Sequence, residues 1–256
     1  MGLMHLDYLS QVLGYHTNIH CILPACTHKG KAPAATLYLL HGGSGNSMDW
    51  IRYTAIERYA DAYEVAVVMP EVDGACFYTD MKYGYNYFTY LTEEVVAVAE
   101  SLLPVNKEPA KRLVAGFSMG GYGAFKWAFH KPDFFKAAAS LSGASFIMDL
   151  FEADTPAAKA ALEPCGPVAL NWGTPDDLRG SMNDSKTWID RAAETKCALP
   201  MLFASMGTED PSFDNCKAYL QYCEEKGINV HYEEMQGGHD WPVWEEMIQR
   251  FLKWAL

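Results

Sequence analysis

The chain has 256 residues, 50% of them hydrophobic and 20% charged, and carries a formal net charge of -12. That length can bury one sizeable core, and the acidic balance argues against nucleic acid, whose binding rests on Lys and Arg neutralising phosphates. Seven cysteines, an odd number with no C-x-x-C, read as reduced thiols in a reducing compartment. Neither a basic leader with an apolar stretch nor a run of membrane-spanning length is present, so the expectation is a cytoplasmic protein with no membrane partner.

Residues 4–10 and 14–23 alternate in part around a short turn-like piece and predict an antiparallel strand pair at a sheet edge. His16 and His20 are four apart, a zinc-like spacing on a helix but too wide for easy shared ligation on a strand, so no metal is expected. Residues 36–40 form a buried apolar strand that runs into His41-Gly42-Gly43-Ser44-Gly45-Asn46. Glycines just past a strand let the backbone turn sharply and present N–H groups to a ligand. No phosphate-loop pattern, G-x-x-x-x-G-K-[ST] or G-x-G-x-x-G, occurs here. The loop is therefore read as half of an oxyanion hole, with the N–H of Gly43 as donor and Gly42 beside it.

The pattern over 49–62 predicts an amphipathic helix, 65–69 a strand ended by Pro70, and 90–103 a helix stopped by Pro104. Between them, 73–87 is rich in aromatics, with Phe77, Tyr78, Tyr83, Tyr85 and Tyr87, and reads either as a pocket wall or as packing under a long loop. Alternating strands and helices argue for one mostly parallel sheet with helices on both faces.

Residues 112–115 are apolar after Arg112 and read as a strand, and 122–130 read as a helix. Between them lies Gly116-Phe117-Ser118-Met119-Gly120, a G-x-S-x-G with strand before and helix behind, which is the setting a nucleophile elbow requires. Such a turn lifts the serine Oγ out of the chain, and the helix start supplies free N–H groups, with the N–H of Met119 first among them. Residues 136–141 predict another strand. The stretch 146–193 is broken by Pro156, Pro164, Pro167 and Pro175. It reads as part of a small cap or a surface insertion, 144–196, within a single domain of residues 1–256. Phe146, Phe151, Leu170 and Trp172 would line a substrate pocket beneath it. The last elements are a strand at 201–206 followed by Gly207-Thr208-Glu209-Asp210, a helix at 213–226, a strand at 229–235 followed by Gly237-Gly238-His239-Asp240-Trp241, and a helix at 242–254.

Loops at the carboxyl ends of parallel strands share one edge, so the loops bearing Gly43, Ser118, Asp210 and His239 should meet. Ser118 would be the nucleophile and His239 the base, since imidazole can take a proton and return it near neutral pH. Asp210 would fix the imidazole tautomer, and Gly43 and Met119 would hold the oxyanion. Glu209 and Asp214 are weaker choices for the acid, and His130 and His231 for the base. Asp240 reads as a local cap. Trp241 and Gly42, flanking the assembled groups, join Phe146 and Trp172 as candidate substrate contacts.

These motifs are spread over most of the chain. They are Leu39-Leu40-His41-Gly42-Gly43-Ser44-Gly45-Asn46 with Trp50 behind, Gly116-Phe117-Ser118-Met119-Gly120-Gly121, Gly207-Thr208-Glu209-Asp210 and Gly238-His239-Asp240-Trp241. In that order the chain resembles the α/β-hydrolase esterases that include S-formylglutathione hydrolase (esterase D), tributyrin esterases and the feruloyl and acetyl-xylan esterases. The resemblance implies an α/β-hydrolase fold and a cofactor-free serine carboxylesterase acting on short-chain acyl esters, often as a homo-oligomer. A formylglutathione-type thioester hydrolase, an esterase of decorated oligosaccharides and a non-catalytic binding module are the alternatives. The stretch 146–188 carries no pattern that places the substrate.

Overall fold

A computed structural model of the chain describes residues 1–152 and 168–256. Eight strands form one sheet in the order β1-β2-β4-β3-β5-β6-β7-β8. They are β1 (Gly2–Leu9), β2 (His16–Leu23), β3 (Ala35–Leu40), β4 (Val65–Pro70), β5 (Arg112–Phe117), β6 (Ala137–Leu141), β7 (Met201–Gly207) and β8 (Val230–Met235). β2 runs antiparallel to both β1 and β4, and every pairing from β4 through β8 is parallel. This is the mostly parallel sheet with an antiparallel N-terminal edge that the sequence predicts.

The central strands are fully buried along their length, which explains why they read as continuous apolar runs rather than alternating ones. Successive side chains still part to opposite faces. Tyr38, Leu40 and Val114 join the core on one side, and Leu37, Leu39, Leu113 and Ala115 join the core on the other.

On the first face lie α3 (residues 87–102), α4 (Met119–His130), α8 (Ser185–Thr195) and α9 (Phe213–Glu225). The second face is covered by α1 (Asp49–Tyr53), α2 (Ile56–Ala62) and α10 (Trp241–Ala255). Between β6 and α8 come the short helices α5 (Ile147–Glu152), α6 (Val168–Trp172) and α7 (Pro175–Leu178). The expected cap, 144–196, thus includes residues 153–167, which lie outside the described residues, as does the Phe151 side chain.

α10 shows how sequence sets the packing. Val243, Trp244, Met247, Ile248, Phe251, Leu252 and Ala255 recur at helical spacing and are all buried. Each large one contributes about 1.5–3 kcal/mol by leaving water. Asp240 caps the helix by accepting from the N–H of Val243 at 3.3 Å.

Two expected helices differ in detail. The 49–62 stretch breaks at Thr54-Ala55, where Thr54 Oγ1 donates to the Trp50 carbonyl and accepts the Ile56 N–H. Glu245 of α10 takes the Ala55 N–H at 2.8 Å. A tertiary carboxylate thus holds the break, which local periodicity cannot reveal. The other, α3, is wound as a π-helix over Tyr90–Val95.

The order β4-β3-β5 matters for function. The chain steps from β3 outward to β4 and then returns to the other side of β3 as β5. Such a reversal opens a crevice at the carboxyl ends of the two strands flanking it. The loops after β3 and β5 are the glycine loop and the serine turn. Among the described residues, no helix is long and apolar enough to cross a membrane.

Candidate active site

Ser118 sits between β5 and α4 with φ 53° and ψ -121°, a region that costs a non-glycine residue about 1–3 kcal/mol. The turn is tight enough to demand its glycines. A Cβ on Gly116 would lie 2.4 Å from the Gly120 carbonyl oxygen, and one on Gly120 would lie 2.6 Å from the Leu40 and His41 carbonyl oxygens. Close approach of three backbone segments is therefore what brings the β3 loop against the serine. Met119 opens α4 and is buried, and as a first-turn group its N–H has no acceptor within the helix.

Asp210 and His239 arrive from the next two loops. Gly207 ends β7 where a Cβ would strike the Gly237 carbonyl oxygen at 2.4 Å, and the Glu209 N–H donates to that same oxygen at 2.8 Å. These contacts stitch the carboxylate loop to the histidine loop. The Asp210 side chain is wholly buried, while 35% of the His239 side chain is exposed. His239 Nε2 lies 2.8 Å from Ser118 Oγ, and its Nδ1 lies 2.6 Å from Asp210 Oδ2. Asp210 Oδ1 accepts the Ser212 N–H at 2.8 Å. Trp244 stands edge-on to the His239 ring, with centroids 5.1 Å apart, and its own Nε1 donates to Ser142 Oγ.

The glycine loop is braced from below. His41 is buried, its Nδ1 2.9 Å from the Gly42 carbonyl and its Nε2 accepting the Val72 N–H at 3.3 Å. That pair of contacts fixes the neutral tautomer with the proton on Nδ1, and burial holds the ring below the ordinary histidine range. Gly42 lies against the Phe117 ring, where a Cβ would come within 2.3 Å. Gly43 follows in the loop and is partly exposed.

The structure therefore brings together Ser118, His239 and Asp210, with Met119 next in the chain and the glycine loop entering at the His41 carbonyl, against Gly120. The remaining candidates belong to the surrounding aromatic packing. Trp172 is buried with its ring 4.8 Å from Phe77, and Phe146 packs on Tyr219 and Tyr222 of α9. Trp241 is partly exposed within a cluster formed by Trp50, Tyr53, Phe117 and Trp244. Leu170 is exposed. The rival base His231 stacks on Trp254, and His130 is packed against Phe88 and Trp188. His20 is bonded to Ser47 Oγ through Nδ1 at 3.0 Å. Sequence reasoning did not single out Trp244 or Ser142, because neither falls in a motif and only the fold puts them beside His239.

Residues 10–255 match the Esterase family model. The chain belongs to this esterase family. It is similar over nearly its full length to the acetyl esterase of Caldicellulosiruptor saccharolyticus, at 29% identity over 264 residues covering 99% of this chain and 98% of that one. Two solved structures from Staphylococcus aureus are also close. A fluorophosphonate-binding serine hydrolase, substrate bound, superposes with a TM-score of 0.89 at 29% identity, covering 99% of this chain and 98% of that one. An S-formylglutathione hydrolase superposes with a TM-score of 0.85 at 30% identity and the same coverage. A ferulic acid esterase shares the fold, with a TM-score of 0.80 at 23% identity, covering 99% of this chain and 97% of that one. The esterase thus has the α/β-hydrolase fold and is a serine hydrolase of carboxylic esters.

Proposed function

We propose that this esterase hydrolyses short-chain acyl esters of small molecules through Ser118, His239 and Asp210. The observation that carries the reading is the hydrogen-bonded succession from Ser118 Oγ to His239 Nε2, and from Nδ1 to the buried Asp210 carboxylate. With Asp210 accepting the hydrogen bond from Nδ1–H, Nε2 is left as an acceptor facing the hydroxyl. As Oγ attacks the ester carbonyl, Nε2 takes its proton, and Asp210 stabilises the imidazolium that forms. The carbonyl oxygen becomes an oxyanion between the N–H groups of Met119 and Gly43, each such donor being worth about 3 kcal/mol in comparable enzymes. His239 then returns the proton to the leaving alcohol. Water, deprotonated by the same nitrogen, releases the acid and restores Ser118.

An acetyl ester is the first substrate to try, because the Caldicellulosiruptor relative carries that activity in its name. A second reading is favoured by the S-formylglutathione hydrolase match at 30% identity: a thioester would enter the same site. Gly42, Phe146, Trp172 and Trp241 remain the proposed substrate contacts, and residues 1–256 are proposed to form one domain with 144–196 as its cap. The free thiols at Cys21, Cys26, Cys76, Cys197, Cys216 and Cys223 favour a reducing compartment, and we place the enzyme in the cytoplasm. We assign no nucleic-acid partner and leave a homo-oligomer as the family expectation.

Turnover of p-nitrophenyl acetate, butyrate and octanoate beside S-formylglutathione tests the assignment. A kcat/KM that falls from acetate to octanoate supports the short-chain reading. A preference for octanoate, or for S-formylglutathione by more than about a hundredfold, would replace it.

A further inference from the structure

The aromatic loop between β4 and α3 holds a feature that the chemistry above does not use. Phe77 and Tyr78 are consecutive non-glycine residues with φ of 47° and 45°. Each conformation is disfavoured for a residue with a side chain, and such residues persist only where their surroundings over-determine them. Both are buried, and both bond toward the site. The Phe77 N–H donates to Met119 Sδ at 3.3 Å, and Tyr78 OH donates to the His41 carbonyl at 2.9 Å. Four residues earlier in the same loop, the Gly74 carbonyl accepts the Ser44 N–H at 2.8 Å.

The backbone of Gly42 and Gly43 is therefore pinned on both sides, at the His41 carbonyl before it and at the Ser44 N–H after it. The same loop touches Met119, which bears the second donor. Behind the loop lies Lys126, a fully buried lysine on α4. Its Nζ donates to the Tyr78 carbonyl at 3.1 Å, Thr79 Oγ1 at 2.9 Å and Asn183 Oδ1 at 2.6 Å. Nζ also lies 4.5 Å from the centre of the Phe88 ring. Burial pushes Lys126 down to about 7, with the Asp80 carboxylate pulling the other way, and its amine donates to these acceptors whether or not it carries the extra proton, so the contacts fix the loop geometry.

We infer that Tyr78, held in its strained conformation by Lys126, is a positioning residue that sets the separation of the two oxyanion donors. This rests on the assignment of Gly43 and Met119 as those donors. The hydroxyl does not reach substrate; it acts through the His41 carbonyl. Losing it lets the glycine loop relax away from Met119, so the oxyanion is held less well while the bound ester is not.

The test is Tyr78→Phe in the full-length enzyme, assayed with p-nitrophenyl acetate and with a trifluoromethyl ketone that mimics the tetrahedral oxyanion. kcat should fall roughly tenfold, less than the 10²–10³ that follows loss of a donor itself. KM should stay within about twofold, and ketone affinity should fall by the same factor as kcat/KM. The acid limb of the pH profile should not move, because His239 and Asp210 are untouched.

Gly74→Ala is the second variant. Its new Cβ would meet Ser44 Cα and N at 2.9 Å, so it displaces the same loop from the other side without touching Tyr78, and it should give the same split. A folded Tyr78→Phe or Gly74→Ala enzyme with wild-type kcat and ketone affinity overturns the inference. Ser118→Ala is run beside them. If that variant still turns over, the underlying site assignment has failed; if it is dead while Tyr78→Phe is unimpaired, only the positioning role has failed.

Discussion

Replacing Asp210 by asparagine changes one oxygen to an amide nitrogen, and the structure dictates which way the amide will face. Oδ1 accepts the Ser212 N–H at 2.8 Å, so the asparagine carbonyl must take that position to keep the bond. Its NH₂ then faces His239 Nδ1, where Asp210 Oδ2 now lies at 2.6 Å. Two N–H donors cannot bond each other, so the imidazole must carry its proton on Nε2 instead. Nε2, 2.8 Å from Ser118 Oγ, then has no lone pair to accept the serine proton. The equivalent change in a serine protease lowers kcat by about 10⁴, or about 5 kcal/mol of barrier. The same order is expected here. Asp210→Ala leaves both tautomers open and should be no worse than Asp210→Asn. The assay is steady-state hydrolysis of p-nitrophenyl acetate at pH 7–8, with thermal unfolding to show that the fold survives. An Asp210→Asn enzyme within tenfold of wild type would refute both the tautomer argument and the role of Asp210.

Three further outcomes follow from the same coordinates. Because Ser118 holds a positive φ, Ser118→Gly should be more stable than Ser118→Ala by about 1 kcal/mol in urea melts, both being inactive; equal stability would mean the turn is unstrained. His239→Ala should lower kcat by several orders of magnitude with little change in melting temperature, since the ring is partly exposed; near-normal turnover would point to another base. Burial pushes His130 down to about 4, so its contribution to stability is complete above its unfolded value near 6.5 and is lost as pH falls towards 4, at most about 3 kcal/mol. His130→Asn, which can still donate to the Lys126 carbonyl that Nδ1 bonds at 2.8 Å, should flatten stability over that window; an unchanged slope would place the pH dependence elsewhere.

Much of this site was legible in the chain because its chemistry lies in loops that follow apolar strands directly. Gly42-Gly43, Gly116 to Gly120, Asp210 and His239 all stand within a few residues of a strand end, and a parallel sheet delivers such positions to one edge. The fold class came from the same alternation. What the sequence withheld depends on contacts between distant segments. The break at Thr54-Ala55 is held by Glu245. The loop at 73–87 looked equally like packing or a wall, and only coordinates show Tyr78 OH on the His41 carbonyl. Lys126 lies on a helix whose neighbours are nearly all apolar, and nothing local says that its amine is satisfied by Thr79 and Asn183. Nor does the sequence show that Trp172 packs on Phe77, or that Trp241 joins a ring cluster with Phe117 beside the serine turn.

The most direct measurement is stoichiometric reaction with a fluorophosphonate, read by intact-mass and peptide mass spectrometry. One adduct per chain on Ser118, with hydrolysis lost in proportion and no labelling in Ser118→Ala, is the expected result. A folded, active enzyme that takes up no label, or takes it up at another serine, would contradict the assignment of Ser118 as nucleophile.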